Sequence, residues 1–296
     1  MSNIPSERSL PIEFWNSFSL SIKSLFGRSS DVVKEPFSAR KRNQLFRRIL
    51  SIVLFFGIWQ ILCMVKFNFW INFSFLPSPI EVSEATVKFF STNAMIHIQS
   101  SVIRVLAGYF FATILGVGLG ILIGWFQKLE DLVFLPLELL RPIPAVAWIP
   151  LAILMFPDAE SGMIYITFIG AFFPILISTI KGVEGVDMLL LRVGQCLGAG
   201  QWYVFKDIVV PGAMPSIASG LVIGMGNCWF CLVTAEILAG RYGIGYITWE
   251  SYVTSNYPPI VMGMLMIGLM GSLSSCLVER LIHLLMPWRV TKKKTA

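Results

Sequence analysis

The sequence predicts an all-α, polytopic membrane protein with six transmembrane helices, and three observations lead to this prediction. The 296 residues are 55% hydrophobic and 14% charged, with a mean hydropathy of +0.73. That balance lies outside the range of soluble globular proteins. The hydrophobic residues fall in long runs, and a helix needs about 20 such residues to cross a bilayer. The chain is long enough for about six of these runs.

The first 48 residues are polar and basic, and they predict a cytoplasmic extension. Its cations stand just before the first hydrophobic run, at Arg40, Lys41, Arg42, Arg47 and Arg48. Residues 11–27 place aromatic and leucine side chains at mixed spacing. Two interpretations of that stretch stay open, a helix in the membrane interface and a mobile tail. A long polar leader without a small-residue cleavage site argues against a secretory signal.

Six hydrophobic segments are predicted to cross the membrane, at about 49–66, 102–126, 132–156, 162–180, 212–238 and 259–284. The transmembrane domain is expected over 49–285, with a basic tail at 286–296. The second segment carries Gly116, Gly120 and Gly124, and the fifth carries Gly220 and Gly224. Small residues at this spacing let helix backbones approach closely in lipid. Helix packing is therefore the predicted role of these glycines.

The third segment contains residues that interrupt a helix. Arg141, Pro142, Pro144 and Pro150 all fall within residues 138–156. Proline removes a backbone donor and clashes with the preceding turn. Broken backbone at membrane depth survives only beside protein or a water-filled cavity. Two interpretations stay open: residues 141–150 line a pathway, or the helix has an ordinary kink and enters at the cytoplasmic surface near Arg141.

The distribution of basic residues predicts that both termini are cytoplasmic. In this orientation the inner side receives the N-terminal cations with Lys128, Lys181, Arg192, Lys206, Arg280, Arg289 and Lys292–Lys294. The outer side keeps Lys66, Lys88, Arg241 and Arg104. Cytoplasmic loops carry an excess of Lys and Arg. The loop between the fourth and fifth segments is therefore expected in the cytoplasm.

That loop, about residues 187–211, is predicted to hold two short helices. Asp187 favours the start of a helix over 188–197, because acidic side chains stabilise helix N-termini. Gly198 and Gly200 then supply a permissive turn. The result would be a compact element that protrudes from the membrane.

The second of these helices is expected over residues 201–209. Trp202, Phe205 and Val209 stand at helical spacing on one face. Pro211 starts the next membrane helix, at a position where proline is tolerated. From the residues alone, the loop either docks on a partner or packs on its own bundle.

The loop resembles the EAA motif of permease subunits from bacterial binding-protein-dependent ABC importers. That motif runs Glu-Ala-Ala, three residues, Gly, nine residues, Ile, one residue, Leu-Pro. Gly198, Ile208 and Pro211 stand at those spacings, with Val210 in the Leu place. The resemblance covers about residues 80–285, including LRPIPAVAWIPLAILMF and PGAMPSIASGLVIGMGNCWFCLVTAEILAGRYGIGY. It is strongest to the branch that serves nitrate, sulfonate, taurine and bicarbonate importers.

The resemblance implies a transport subunit that is not itself an enzyme, in the bacterial plasma membrane. Its cargo would be a small polar solute, with an oxyanion expected. The implied protein partners are a second permease (an identical copy or a different chain), two cytoplasmic ABC ATPase subunits and an extracytoplasmic solute-binding protein. The lipid bilayer surrounds the spans, and nucleic acid is not an expected partner. The sequence has no G-x-x-x-x-G-K-[ST] phosphate loop. No cofactor is expected on this chain, and ATP and Mg are expected on the ATPase subunits.

The resemblance also implies which loop residues transmit ATP-driven movement. A structured helix would bind in a groove of the ATPase and pass on its closure as a rigid-body motion of the spans. The implied coupling residues are Gly198, Gly200, Trp202, Phe205, Ile208 and Pro211. The loop departs from the motif at Arg192-Val193-Gly194, where Glu-Ala-Ala is usual. This departure implies an unusual ATPase partner or a heteromeric pairing.

The candidate pathway residues are Arg141, Pro142, Pro144, Asn227 and Glu236. An ionisable residue within a span, such as Glu236, suggests a functional site because its burial in lipid is costly. The alternative for Glu236 is a structural hydrogen bond, and for Asn227 a bond between helices. Arg141 would attract an anion entering an inner cavity, or would simply mark the cytoplasmic side.

Catalytic and metal sites are not predicted. His97 and His283 are far apart and isolated, and no catalytic residue set emerges. Cys228 and Cys231 form C-x-x-C inside an apolar run and are predicted to pack as small residues. The alternative function is an ATP-independent secondary transporter or channel, which would predict internal repeats. None is visible in the sequence.

Overall fold

The structure, a computed structural model, describes residues 37–65, 75–92 and 94–286, and these form helices joined by short turns. The first three helices are α1 (Phe37–Val65), α2 (Pro79–Thr92) and α3 (Ala94–Trp125). The next three are α4 (Gln127–Leu140), α5 (Ile149–Met155) and α6 (Ala159–Glu184). The last four are α7 (Met188–Cys196), α8 (Gln201–Ala239), α9 (Ile244–Val253) and α10 (Tyr257–Leu285).

Several predictions fall wholly or partly on other residues. The interfacial helix or tail at 11–27, Lys66, and the basic tail from residue 287 lie outside the described residues. The structure divides into two units, Met1–Ile61 and Leu62–Ala296. The predicted domain boundaries at 48/49 and 285/286 stay predictions. The first predicted span corresponds to the apolar helix Ile49–Val65, whose length is near the lower limit of about 17 residues for a bilayer crossing.

Within the part of the chain that the structure describes, four helices are long and apolar enough to cross a bilayer: α3, α6, α8 and α10. They match the second, fourth, fifth and sixth predicted spans. Most extend beyond the predicted apolar run, because a helix continues through flanking polar residues once its backbone bonds are formed. In α3 the helix begins at Ala94 rather than at 102.

Helices α3 and α6 lie parallel and in close contact along their length. Gly108, Gly116, Gly120 and Gly124 each face the residue 59 positions further along the chain, namely Thr167, Ile175, Thr179 and Val183. A constant offset arises only when two helices run in the same direction. The predicted packing role of the glycines in the second span is thereby confirmed.

This close packing predicts opposite outcomes for two neighbouring glycines of α3. A Cβ at Gly120 would lie 2.6 Å from Thr179 Cβ, whereas nothing lies within 4 Å of one at Gly118. Gly120→Ile is expected to lower stability by about 1–3 kcal/mol, the range for overpacking a close contact. Gly118→Ile is the matched control and is expected to change little. Thermal unfolding of both purified variants is the measurement, and equal shifts would contradict the packing.

Helix α8 packs on α6 from the other side and runs in the opposite direction. A Cβ at Gly220 would lie 2.5 Å from Ser178 Cβ, and one at Gly224 would lie 2.9 Å from Ile175 Cγ1. The predicted packing role of these two glycines is confirmed. Cys228 and Cys231 are buried free thiols on the same face, which agrees with their predicted role as small packing residues.

The predicted broken third span is one crossing made of two helices. Helices α4 and α5 are bent by 88° around residues 141–144. Trp125, at the end of α3, packs against Phe205 in the 187–211 loop, with ring centroids 5.1 Å apart. Glu160, at the start of α6, lies at the opposite end of the bundle, where it bonds to Arg104. The chain must therefore cross the bundle between residues 125 and 159.

The size of this bend distinguishes it from an ordinary kink. Kinks at proline are usually tens of degrees within one helix, whereas here the α-helix stops at Leu140 and a 3₁₀ turn (Ala145–Trp148) precedes α5. Pro144 takes an extended conformation, with φ of −58° and ψ of 136°, and as a proline it has no N–H that could continue the helical hydrogen bonds of α4. The interruption leaves non-helical backbone beside α6 and α8.

Candidate functional site

The loop between α6 and α8, here called the coupling segment (residues 187–211), begins as predicted. The Asp187 carboxylate accepts a hydrogen bond of 2.8 Å from the backbone N–H of Leu189 and caps α7. Helix α7 ends at Cys196, and the chain then turns at Gly198 with φ of +82°. Glycine adopts this left-handed conformation without a steric cost.

The second half of the coupling segment is helical, as predicted, but one part of the prediction is wrong. Residues 201–209 are not a separate helix, because they continue without a break into the membrane helix, so that α8 runs from Gln201 to Ala239. Pro211 stands in the first turn of the regular α-helical part of α8, Val210–Ala239, as predicted. The turn before it widens into a π-helix over Val204–Val209, in which the Val210 N–H donates to the Phe205 carbonyl. This wider turn accommodates a proline that lacks a donor and would clash with the carbonyl four residues earlier.

Gly200 also differs from its predicted role. Its φ is −67°, a value that any residue adopts. Only Gly198 supplies the conformation that requires glycine at this turn.

The predicted aromatic face of residues 201–209 is divided between the core and the surface. Val209 is buried, while Trp202 is 67% exposed. Phe205 lies between them, with its ring centroid 5.1 Å from that of Trp125 and 5.8 Å from that of Trp202. Phe205 thereby connects the exposed surface to the end of α3.

The coupling segment exposes a patch of large apolar side chains. Leu197 is 83% exposed, and Leu189, Leu190, Trp202 and Tyr203 are all more than half exposed. Charged side chains on the same segment, Asp187, Arg192, Lys206 and Asp207, are also at the surface. Mixed apolar and charged surface beyond the ends of the spans is typical of a protein interface.

The departure Arg192-Val193-Gly194 has a partial structural explanation. Gly194 is buried where α7 meets α8, and a Cβ there would lie 2.6 Å from Ile208 Cδ1. Glycine thus lets the two halves of the segment pack closely. Arg192 points to the surface, and no described carboxylate lies within salt-bridge distance of it.

At the opposite end of the bundle, two buried charges and the exposed Glu160 form what we call the ion-pair cluster (Ser101, Arg104, Glu160 and Glu236). Arg104 is 2% exposed and Glu236 is fully buried, and Arg104 Nη1 lies 2.8 Å from Glu236 Oε1. Arg104 Nε also donates to Glu160 Oε2 at 2.7 Å. Ser101 donates to Glu236 at 2.7 Å. The cluster joins the starts of α3 and α6 to the end of α8.

The turn between α8 and α9 closes over the Glu236 carboxylate. Gly245 donates its N–H to Glu236 Oε2 at 2.9 Å, and the Tyr242 carbonyl accepts from Arg104 Nη1 at 2.6 Å. Gly243, at φ of +139°, leaves no room for a Cβ, which would meet the carboxyl group of Glu236. Every charged atom of the buried pair thus has a partner, which burial of an ion pair requires.

A cavity of about 570 Å³ lies beside the interruption between α4 and α5. Arg141 and Pro144 line it from that interruption, Ser178 and Lys181 from α6, and Asn227 from α8. It extends along α6 from Ile169 in the middle of the helix to Lys181 near the coupling segment. Arg141 and Lys181 are the only charged side chains among its lining residues, all of which are described.

Comparison with known proteins shows to which family this chain belongs. Residues 116–290 match the family described as the binding-protein-dependent transport system inner membrane component. That match covers more than half of the chain and includes the coupling segment, the cavity and Glu236.

The chain belongs to this family.

Named relatives agree with that membership. The nitrate import permease protein NrtB of Synechocystis is 33% identical over 86% of this permease and 94% of its own length. The taurine transport system permease protein TauC of Escherichia coli is 29% identical, over 72% of this permease and 80% of its own length. An ABC transporter permease protein of Methanocaldococcus jannaschii is 42% identical, over 58% of this permease and 64% of its own length. This permease thus spans less than two thirds of that last relative.

Family membership fixes the class of activity. This chain is a multi-pass membrane permease subunit of the nitrate, sulfonate and taurine branch of ABC importers, and it is not an enzyme. The importer interpretation is favoured over an ATP-independent transporter or channel. Within the described residues, no group of three or more His, Cys, Asp or Glu side chains is placed to hold a metal ion.

The five candidate pathway residues of the permease fall in different places. Arg141, Pro144 and Asn227 line the cavity together. Pro142 does not line it, and Glu236 lies in the ion-pair cluster at the other end. The contacts of Glu236 match the alternative of a structural hydrogen bond.

Sequence reasoning missed three members of the ion-pair cluster (Ser101, Arg104 and Glu160) and two polar residues of the cavity (Ser178 and Lys181). Arg104 was assigned only to the outer side, Glu160 was not singled out, and Lys181 was counted only for topology. The available signal was one positive and two negative side chains, Arg104, Glu160 and Glu236, at the predicted outer ends of the second, fourth and fifth spans. Their pairing depended on which span ends are neighbours, and the sequence does not give that.

Proposed function

We propose that this permease imports a small oxyanion by coupling its movement to ATP hydrolysis on two separate cytoplasmic ATPase subunits. An extracytoplasmic binding protein would deliver the cargo, and ATP and Mg would bind only to the ATPase subunits. A second permease completes the pore, with an identical copy as the main proposal and a heterodimer as the alternative. Membership in the importer family supports each of these partners.

The exposed apolar patch of the coupling segment is the observation that carries the ATPase contact. Leu197 and Trp202 extend into solvent on either side of the Gly198 turn, which is an unfavourable position for large apolar groups unless a partner covers them. Phe205 connects this patch to Trp125 of α3, so that a push on the patch reaches a membrane helix directly. Gly198, Trp202, Phe205, Ile208, and the bordering Gly200 and Pro211, make up the proposed coupling element.

The proposed orientation puts the coupling segment and both termini in the cytoplasm of a bacterial cell, with the permease in the plasma membrane. The excess of Lys and Arg in the predicted inner loops supports this orientation. The ion-pair cluster would then face the extracytoplasmic side, where the binding protein delivers its cargo.

The cargo class rests on the relatives and on the cavity. Relatives are named for nitrate, aliphatic sulfonates and taurine. Arg141, Pro144 and Asn227 would line the inner part of the pathway, beside backbone that is not helical.

Co-purification and reconstitution test the proposed function. The tagged permease, expressed with the ATPase and binding protein encoded beside it, is expected to retain the ATPase through purification. Vesicles that contain the complex are expected to take up nitrate or a sulfonate only with ATP and the binding protein. Uptake that does not depend on ATP, or failure to retain any ATPase, would overturn the proposal.

A further inference from the structure

We infer that Arg141 and Lys181 form a discrete binding site for one small oxyanion inside the permease, in the cavity between α6, α8 and the α4–α5 interruption. This inference rests on the proposed importer function and adds to it a binding step within the membrane part. Charge selection would then occur in the permease as well as in the binding protein.

The charges of the cavity wall are the first reason. Arg141 and Lys181 both line the cavity, and no Asp or Glu does. No described carboxylate oxygen lies within the 4.0 Å salt-bridge distance of either cation. Glu184, one turn along α6 from Lys181, interacts with it electrostatically but is not part of the wall. Two cations that are not bonded to a carboxylate favour the binding of an anion from solution.

The contrast with Arg104 strengthens this point. Arg104 is buried and is held by two carboxylates and a backbone carbonyl. The same residue type is therefore fully neutralised at one end of the bundle and left with free donors in the cavity. A guanidinium with free donors matches the planar geometry of nitrate and the oxygens of a sulfonate.

The remaining lining groups suit the same ligand. Ser178 offers a hydroxyl donor and Asn227 an amide donor, on α6 and α8 respectively. Phe173, Ile177 and Ile223 supply the apolar part of the wall beside these polar groups. The volume of about 570 Å³ lies within the range of small-molecule sites, about 300–1,000 Å³.

The position of the cavity fits a binding step on the way to the cytoplasm. Its wall on α6 runs from Ile169 to Lys181, about 18 Å at the helical rise of 1.5 Å per residue. The Asn227 end of the cavity lies in the middle of the bundle, and the Lys181 end lies close to the coupling segment. Lys181 thus stands at the end of the cavity from which the cargo would leave toward the cytoplasm.

Anion transport by the reconstituted complex tests this site. We expect Lys181→Gln and Arg141→Gln each to raise the KM for nitrate uptake by about tenfold, equivalent to about 1.4 kcal/mol. Lys181→Arg, which keeps the charge, is expected to restore most of the affinity. Lys128→Gln removes an exposed cation at the start of α4 outside the cavity wall and is the matched control. ATPase retention during purification should be the same in all variants.

Acidic lipid headgroups carry the same oxyanion chemistry, so vesicles with and without phosphatidylglycerol separate the two sources. A free oxyanion site predicts the same KM increase in both kinds of vesicle. An increase confined to vesicles with phosphatidylglycerol would assign the cations to lipid and overturn the inference. Normal KM values in both glutamine variants, with ATP-dependent uptake intact in the unaltered complex, would overturn the site and leave the importer function standing.

Discussion

Replacing Arg104 with methionine is expected to destabilise this permease more than any other single change considered. The substitution keeps an unbranched apolar stem but removes the guanidinium, and it leaves the fully buried Glu236 carboxylate without its cation. Removing one partner of a buried ion pair costs about 3–5 kcal/mol. Thermal unfolding of the purified permease, together with the amount that reaches the membrane, measures the effect.

Two further variants show whether the loss comes from the buried charge. Arg104→Met combined with Glu236→Gln removes the unpaired charge and keeps one oxygen that can accept from either Ser101 or Gly245, so it should be more stable than Arg104→Met alone. Glu160→Gln should cost far less, because Glu160 is 59% exposed and exposed ion pairs contribute about 0–1 kcal/mol. Equal losses for Arg104→Met and Glu160→Gln would contradict this account.

Gly198→Val is expected to have the largest effect on transport. A β-branched residue at φ of +82° is strained by about 1–3 kcal/mol, and the turn that sets α7 against α8 must rearrange. ATP-driven uptake should fall by at least about tenfold, because a small displacement of the coupling segment at its contact with the ATPase would lower the transport rate by this factor or more. The amount of permease in the membrane should stay normal, because nothing lies within 4 Å of a Cβ at this position.

Two comparisons isolate the backbone conformation from side-chain size. Gly198→Asn should retain most of the uptake, because asparagine tolerates the left-handed region. Gly200→Val should lose less than Gly198→Val, because Gly200 has an ordinary φ of −67° and equally open surroundings. The conformational argument fails if valine has the same effect at both positions, or if Gly198→Asn is as inactive as Gly198→Val. The readout is the ratio of solute taken up to ATP hydrolysed.

The two ends of the bundle use charge in different ways. At the ion-pair cluster, Arg104 joins three helices through bonds that leave none of its buried partners unsatisfied. In the cavity, Arg141 and Lys181 keep donors available beside non-helical backbone. The ion-pair cluster therefore occupies one end of α6 and α8, and the proposed anion site lies in the cavity that begins near the middle of the two helices.

Local patterns in the sequence predicted most of the helices, because hydrophobic run length and glycine spacing act within one segment. The Asp187 cap, the Gly198 turn and the break at residues 141–144 follow from a few neighbouring residues, and all three occur in the structure. The expected separate helix over 201–209 was wrong, because a π-helix over Val204–Val209 joins these residues to the regular part of α8, in whose first turn Pro211 stands. Short-range rules favour a break between helices just before a proline and do not include this less common accommodation.

By itself, the sequence determined the all-α membrane class, the position of the coupling segment and the importer resemblance, since each depends on composition or on fixed spacing along the chain. Only the tertiary structure decided that Arg104, Glu160 and Glu236 meet, and that Arg141, Lys181 and Asn227 line one cavity. The members of each set stand on different helices, dozens of residues apart. Their neighbourhood follows from the parallel packing of α3 with α6 and the antiparallel packing of α8. Helix order in a bilayer is set by side-chain fit between surfaces, which no single segment encodes.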